Sequence, residues 1–251
     1  TRPSLYVPRL VARPHHLRRE WSGDRLFHLE EKGLGPALAS PQSVKRSTDH
    51  PAQRLPIDSN LDDARSAAAK CRACDLWKTA TQTVFGDGPA SATVVLIGEQ
   101  PGDQEDRAGQ PFVGPAGQVL QDALRSVGLR PDRVYLTNAV KHFKWTPRGK
   151  RRIHSKPRTS EILACRPWLA LELSMVKAQA VICLGATAAR SVLGRSVTIG
   201  KVRGKPFQSP LAPLVFVTTH PSSILRAPDS ESRAAGRDVE ASQLDIGSTD
   251  P

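Results

Sequence analysis

The chain has 251 residues, and its 36 Lys and Arg outnumber its 24 Asp and Glu, which gives a net charge of +12. A chain of this length can bury a hydrophobic core without disulfides, and the excess of positive charge favours an anionic partner such as nucleic acid. Because no run of about 18 apolar residues and no signal-like opening segment occurs, the composition argues against a membrane protein. It predicts a soluble, intracellular protein of the cytoplasm.

Composition divides the chain into three parts. Residues 1–58 are rich in Arg, Pro, His and Ser without sustained periodicity, which predicts an irregular N-terminal extension. Residues 59–226 carry the apolar periodicity of a folded domain, and residues 227–251 lose it, as expected of a disordered tail. No second apolar stripe indicates an interface, so we expect a monomer.

Strands and helices alternate within the predicted domain. A capping pattern at Asn60 predicts a helix that runs up to Cys71 and Cys74. Short apolar runs predict four strands, and the segments between them have helical spacing. The predicted strands cover 93–98, 133–138, 180–185 and 214–219, and the predicted helices cover 116–127, a segment from 159 and 186–193. This order is typical of an α/β fold, a three-layer doubly wound, mainly parallel four-stranded sheet with helices on both faces and irregular termini.

Polar residues follow three of the predicted strands. Glu99, Asn138 and His220 each stand at or just after a strand end. Because ligands of doubly wound sheets gather beyond the carboxyl ends of the strands, we expect these side chains to share one cleft. A basic segment, residues 141–158, has eight Lys and Arg and no acid, interleaved with two aromatic residues, which is typical of a phosphate-binding surface.

Four separated motifs resemble a known family. They are GEQPGDQEDRAGQPFVGPAGQVL, VYLTNAVKHFKW, KRRIH at 150–154 and HPSSILR at 220–226. Together, over about residues 65–226, they look like the uracil-DNA glycosylase superfamily, and KRRIH resembles its UdgX branch, a relative of the family-4 iron–sulfur glycosylases. The resemblance implies excision of uracil from DNA, with single strands preferred, because such enzymes act on a flipped or unpaired nucleotide.

The resemblance also implies residue roles. His154 of KRRIH is expected to attack the sugar C1′ and leave a covalent adduct with the abasic site, while Glu99 stabilises the positive charge that develops on the sugar. His220 is expected to donate a hydrogen bond to the departing base. Asn138 is expected to form hydrogen bonds with the edge of uracil, and Phe112 to stack on its ring. The remaining expected residues are Gln100 for catalysis, Gly98, Asp103 and Asp106 for the substrate, and Lys150, Arg151, Arg152 and Ser222 for DNA.

Two other functions fit the same residues. A hydrolytic family-4-type glycosylase with normal turnover would use His154 only as a DNA contact. A non-catalytic, metal-stabilised DNA-binding protein would use the basic segment for binding and the strand-end residues for local structure.

Cysteine spacing indicates a metal site. Cys71 and Cys74 form a CxxC pair, which spacing alone allows for zinc or iron. The resemblance implies a [4Fe–4S] cluster held by this pair, Cys165 and a fourth ligand, for which we favour His142 over Cys183. A mid-strand cysteine such as Cys183 usually behaves as a small apolar residue.

Overall fold

A computed structural model of the chain describes residues 50–226. The predicted disordered tail and residues 1–49 of the predicted extension lie outside the described residues. Within the extension, Pro51–Gln53 form a 3₁₀ turn, and the His50 ring meets Trp168 edge to face at 5.4 Å. The packed part of the chain thus includes residues before the predicted domain boundary at 59.

A five-stranded sheet forms the centre of the structure, in the order β2-β1-β5-β7-β6. Its strands are β1 (Val94–Gly98), β2 (Val134–Asn138), β5 (Ala180–Leu184), β6 (Phe207–Ser209) and β7 (Ala212–Thr218). Adjacent strands pair in parallel except for β6, which runs antiparallel to β7 at the sheet edge. The predicted parallel strands are confirmed, while β6 is an addition to the predicted four, because its three residues are too short to show a periodicity.

Helices cover both faces of the sheet. They are α1 (Leu61–Ala68), α2 (Asp103–Ala108), α3 (Pro115–Ser126), α4 (Thr159–Val176), α5 (Ala186–Leu193), α6 (Ile199–Val202) and α7 (Pro221–Leu225). Alternate side chains of β1 point to opposite faces of the sheet. Val95 and Ile97 pack in the core that includes α4 and α5, whereas Val94 and Leu96 pack in the core that includes α3. This division confirms the three-layer α/β architecture. None of the helices described is long and apolar enough to cross a membrane.

The basic segment at 141–158 contains regular structure, although the sequence pattern predicted no strand or helix there. It forms a two-stranded antiparallel hairpin, β3 (Trp145–Arg148) and β4 (Arg151–His154), in which Trp145 is paired with His154. Gly149 has φ +59°, a conformation that glycine adopts without strain, and it closes the turn. The hairpin therefore brings His154 back to the start of β3.

Candidate active site

The carboxyl ends of the parallel strands open into one cleft of about 850 Å³. Most of the predicted site residues line it, namely Glu99, Gln100, Asp103, Phe112, Asn138, His154, His220 and Ser222. The strand-end residues come together because β1, β2 and β7 all end at this edge of the sheet.

Gly98 contributes through its lack of a side chain. It is paired with Asn138 in the register of β1 and β2. A Cβ atom at Gly98 would lie 2.3 Å from Asn138 Oδ1 and 2.8 Å from Phe112 Cζ, closer than atoms can approach. Gly98 therefore allows Asn138 and Phe112 to lie close to this point of the backbone, and its predicted contact with substrate stays a prediction.

Asn138 and Phe112 have the geometry of a base-binding slot. Asn138 is 3% exposed and lines the cleft, where its side-chain amide can donate to and accept from a ligand. The Phe112 ring lies nearly parallel to the His220 ring, with centroids 6.4 Å apart and an interplanar angle of 24°. Phe112 has φ +56°, a strained conformation for a bulky residue.

His220 is arranged as a hydrogen-bond donor. Its Nδ1 accepts from the backbone N–H of Ser222 at 3.1 Å and thereby caps α7. Burial, assisted by the nearby His154 and Arg226, lowers the pKa of His220 to about 4, so the ring is neutral at pH 7. With Nδ1 accepting, the proton of the neutral ring lies on Nε2. Ser222, predicted to contact DNA, also has its hydroxyl 2.9 Å from His220 Nδ1.

His154 lies beside Glu99 at the mouth of the cleft. Its Nε2 is 3.5 Å from Glu99 Oε1, and its side chain is 48% exposed. Burial lowers the pKa of His154 from its ordinary value, although the Glu99 carboxylate acts in the opposite direction. The other carboxylate oxygen of Glu99 accepts a hydrogen bond from the Thr187 hydroxyl on α5. A neutral imidazole and an oriented carboxylate therefore share the cleft.

The side chain of Gln100, for which catalysis was predicted, is hydrogen-bonded to the protein backbone. Its amide nitrogen donates to the carbonyl groups of Lys144 and Ser155, both at 3.1 Å, and its oxygen accepts from Lys144 N–H at 3.2 Å. These two residues flank the β3–β4 hairpin. Gln100 thus fastens both ends of the hairpin, and its polar atoms are engaged with protein rather than free for a substrate.

Arg152 and Asp106 also depart from the prediction. The Arg152 guanidinium forms ion pairs with Asp103 and, at 2.6 Å, with Asp106, and it lies over the rings of Phe143 and Trp145. Asp106 is fully buried and lies outside the cleft, so it holds Arg152 rather than substrate. Of the predicted DNA contacts on the hairpin, Lys150 and Arg151 are exposed, whereas the charge of Arg152 is directed inward.

The predicted metal ligands surround a second, smaller cavity. Cys71, Cys74, His142 and Cys165 all line it. Cys165 Sγ accepts from Lys141 N–H at 3.2 Å, and His142 Nε2 is 2.9 Å from the Thr83 hydroxyl. Cys183 lies apart from this cavity, in mid-β5 within the core formed with α4 and α5.

Three thiols and one imidazole line this cavity, and both zinc and iron–sulfur clusters accept donors of these types. Within residues 50–226, no three His, Cys, Asp or Glu side chains are grouped closely enough to hold one metal ion. A [4Fe–4S] cluster takes one ligand for each iron, so its ligands stand further apart than those of one ion. The four donors come from separate segments of the chain and line one cavity, and the case for a cluster rests on their chemical types.

Three other residues with roles at the site were missed at the sequence level. Thr187, which orients Glu99, follows the Gly185 turn after β5, and this strand-end position is the signal that could have found it. Glu105 lies three residues after Gly102 in a capping pattern. Glu172 forms a buried ion pair with the residue before His142, and the sequence offers no signal for this partner.

Comparison with known proteins agrees with this geometry. The sequence model of the uracil DNA glycosylase superfamily matches residues 85–240. A type-4 uracil-DNA glycosylase of Thermotoga maritima is 38% identical over 165 residues, which are 65% of this chain and 82% of the relative. Proteins of the same name from Pyrobaculum aerophilum and Archaeoglobus fulgidus are 36% and 35% identical, over 67% of this chain and 86% and 85% of theirs. The match includes every strand of the sheet and the cleft at its edge, and the chain therefore belongs to the uracil DNA glycosylase superfamily.

Proposed function

We propose that the chain excises uracil from DNA by cleaving the N-glycosidic bond. The convergence of Glu99, Asn138 and His220 around the Phe112 ring in one cleft carries this proposal. Relatives that are more than a third identical bear the name uracil-DNA glycosylase. We place the catalytic domain at residues 59–226, with residues from His50 onward packed against it, and we propose that it acts as a monomer.

The cleft residues supply what the departure of uracil requires. The Asn138 amide can pair with both the carbonyl and the N–H of the uracil edge, which a cytosine edge would mismatch. As the bond from the base to C1′ breaks, negative charge grows on uracil and positive charge on the sugar. The His220 Nε2–H donates to the base, and the Glu99 carboxylate stabilises the sugar.

His154 completes the reaction as a nucleophile, as in the UdgX branch. Its neutral ring attacks C1′ while the electron pair of the breaking bond leaves with uracil. The new N–C bond makes the ring an imidazolium, which the neighbouring Glu99 stabilises until the second ring nitrogen gives its proton to the departing uracil anion or to water. The 3.5 Å distance between His154 and Glu99 supports this step. Lys150 and Arg151 contact DNA phosphates beside the nucleophile, and single-stranded substrates, whose bases need no unpairing, are preferred.

Cys71, Cys74, His142 and Cys165 are proposed to hold a [4Fe–4S] cluster. The cluster would link the segment after α1, the chain after β2 and helix α4 through bonds to iron. It would stabilise the fold at a distance from the cleft, since the two cavities share none of their lining residues.

A hydrolytic enzyme is equally compatible with the comparisons. In that case a water molecule attacks C1′, and His154 only contacts the DNA, so each turnover releases abasic product. A non-catalytic DNA-binding protein would instead bind without regard to uracil. The position of His154 inside the cleft, beside Glu99, favours the covalent reaction over both.

Covalent capture of DNA tests the proposal. The chain is incubated with single-stranded DNA that contains one uracil, then heated in detergent and separated by electrophoresis. We expect a heat-stable band that contains both protein and DNA. The matched control is thymine in place of uracil, which should give no shifted band.

Replacement of His154 separates the candidates. The variant His154→Ser should lose the shifted band while it still releases uracil, because Asn138, His220 and Glu99 are intact. Free abasic product without any adduct from the unmodified chain would contradict the nucleophilic role of His154 and favour the hydrolytic enzyme. Equal binding of uracil and thymine DNA, without base release, would contradict the glycosylase itself.

A further inference from the structure

One buried carboxylate connects the two segments that border the base slot. Glu105 on α2 is 9% exposed. Its Oε2 accepts from the Gly102 N–H at 3.0 Å, and its Oε1 accepts from the Gly114 N–H at 2.7 Å. Gly102 ends the turn that follows Glu99, whereas Gly114 comes shortly after Phe112. A single side chain thus ties the turn after β1 to the loop that carries the stacking ring.

The close fit around this carboxylate requires glycine at both partners. A Cβ atom at Gly102 would lie 2.6 Å from Oε2, and one at Gly114 would lie 2.9 Å from Oε1. Both distances are shorter than the van der Waals contact distance. The backbone can therefore approach the Glu105 carboxylate this closely only because both residues are glycine.

The Phe112 loop needs such a restraint. Its φ of +56° is unfavourable for an aromatic residue, and such conformations persist only where surrounding contacts over-determine them. On the α3 side, a Cβ atom at Gly117 would lie 1.8 Å from the Phe112 carbonyl oxygen, so the helix is in direct contact with this backbone. On the other side the loop is fastened to Glu105 through Gly114. These two contacts hold the strained residue between them.

We propose that Glu105 is a positioning residue that fixes the Phe112 ring relative to the turn bearing Glu99, and so sets the slot that receives the flipped base. The proposal deepens the proposed function and rests on it. Glu105 acts through Phe112, because both of its oxygens are occupied by backbone N–H groups.

Glutamine cannot replace this carboxylate. A carboxylate offers two acceptor oxygens, one for each N–H group, while the amide of glutamine offers one oxygen and one NH₂ donor. In Glu105→Gln, one of the two backbone N–H groups would face another donor. The size of the side chain is kept, and only the connection between the two segments is broken.

The experiment compares Glu105→Gln with the unmodified full chain. We expect the single-turnover rate of uracil excision to fall by roughly 10- to 100-fold, the range for loss of a hydrogen bond to a charged group. The affinity for uracil DNA should stay within about twofold, because Lys150 and Arg151 are untouched. The matched control is Asp63→Asn, which removes a capping carboxylate that serves only α1. Asp63→Asn should leave excision unchanged, and an equal loss in both variants would overturn the proposal.

A double-mutant cycle with Phe112→Ala tests the route of the effect. If Glu105 acts through the ring, Glu105→Gln should cost little more once Phe112 is already alanine. Full additivity of the two losses would overturn the proposal, since general destabilisation would be felt in either background. Should Glu105→Gln fail to fold, Glu105→Asp keeps the charge but reaches only one N–H group, and it should show the same dependence on Phe112.

A readout that needs no activity separates this inference from the proposed function. Phenylalanine labelled with fluorine at position 112 should give one sharp ¹⁹F resonance in the unmodified chain and in Asp63→Asn. In Glu105→Gln we expect a broadened or divided resonance. An unchanged resonance would overturn the positioning role, whereas an unmodified chain that releases no uracil would overturn only the proposed function.

Discussion

Two histidine rings in the cleft are held in the neutral form, and the proposed function gives them different roles. Burial lowers the pKa of both His154 and His220, the latter to about 4. A neutral His154 retains the lone pair that a nucleophile needs, and a neutral His220 with Nδ1 accepting from Ser222 carries its proton toward the base. Both roles depend on burial in the cleft.

The pH dependence of adduct formation follows from the lowered pKa of His154. Nucleophilic attack requires the neutral ring, and the ring gains a proton only below the ordinary value of 6.5. We expect the single-turnover rate of adduct formation to be flat at alkaline pH and to fall on acidification, with its midpoint below the ordinary pKa of histidine. Rates measured at saturating enzyme exclude effects on DNA binding. A rate that rises on acidification would contradict a neutral nucleophile.

At the level of single residues, the sequence identified the groups at strand ends and failed for their partners. Glu99, Asn138 and His220 were found because parallel strands deliver their last residues to one edge. Gln100 and Arg152 were assigned to catalysis and DNA by resemblance, whereas their side chains bind the hairpin backbone and Asp106, which are distant in the chain. No local pattern reveals such a partner.

At the level of elements, the hairpin β3–β4 is the part that sequence reasoning missed. Its strands are four residues each and mostly exposed, so they lack the apolar alternation that predicts strands. Its position is set instead by contacts at its base: Trp145 Nε1–H donates to the Thr79 carbonyl at 3.0 Å, and Gln100 fastens the flanking backbone. The element that carries His154 is therefore defined by tertiary contacts.

Loss of the Gln100 amide should separate excision from capture. In Gln100→Ala the backbone next to His154 loses its anchor, while Glu99, Asn138 and His220 are unchanged. We expect the ratio of covalent adduct to free abasic product to fall by roughly tenfold or more, because all three hydrogen bonds of the amide are lost, with a smaller loss in total uracil release. Denaturing electrophoresis of one reaction measures both products.

A matched control for this variant is Gln82→Ala. The Gln82 amide donates to the backbone carbonyl groups of Asp106 and Arg107 at the end of α2, which are not part of the hairpin. The ratio of adduct to free product should stay as in the unmodified chain. If Gln100→Ala likewise kept the ratio, the hairpin would need no such anchor and our account of Gln100 would fail.

At the level of the whole molecule, the fold holds two cavities that share no lining residue, and the sequence predicts them to different extents. The α/β architecture followed from periodicity alone, because every buried strand is an apolar run. The thiol cavity did not follow from spacing, since only Cys71 and Cys74 are close in the chain and the other two donors come from segments beyond β2 and on α4. Resemblance supplied His142 and Cys165, and both line the same cavity as the CxxC pair.

Removal of a proposed cluster ligand should therefore destabilise the fold through the loss of a cross-link. A cluster that joins Cys74 to Cys165 closes a loop of about 90 residues. If it acts as other cross-links do, it raises the free energy of unfolding by roughly 4 kcal/mol. For a domain of this size, that corresponds to about 10 °C in Tm. We expect Cys165→Ser to lose its bound iron and its visible absorbance, and to have a Tm lower than that of the unmodified chain by this amount. Cys183→Ala, in mid-β5, should keep its iron and its absorbance. Zinc in place of iron in the purified chain would contradict the proposed cluster but agree with the proposed ligands. Full metal content in Cys165→Ser would show that Cys165 is not a ligand.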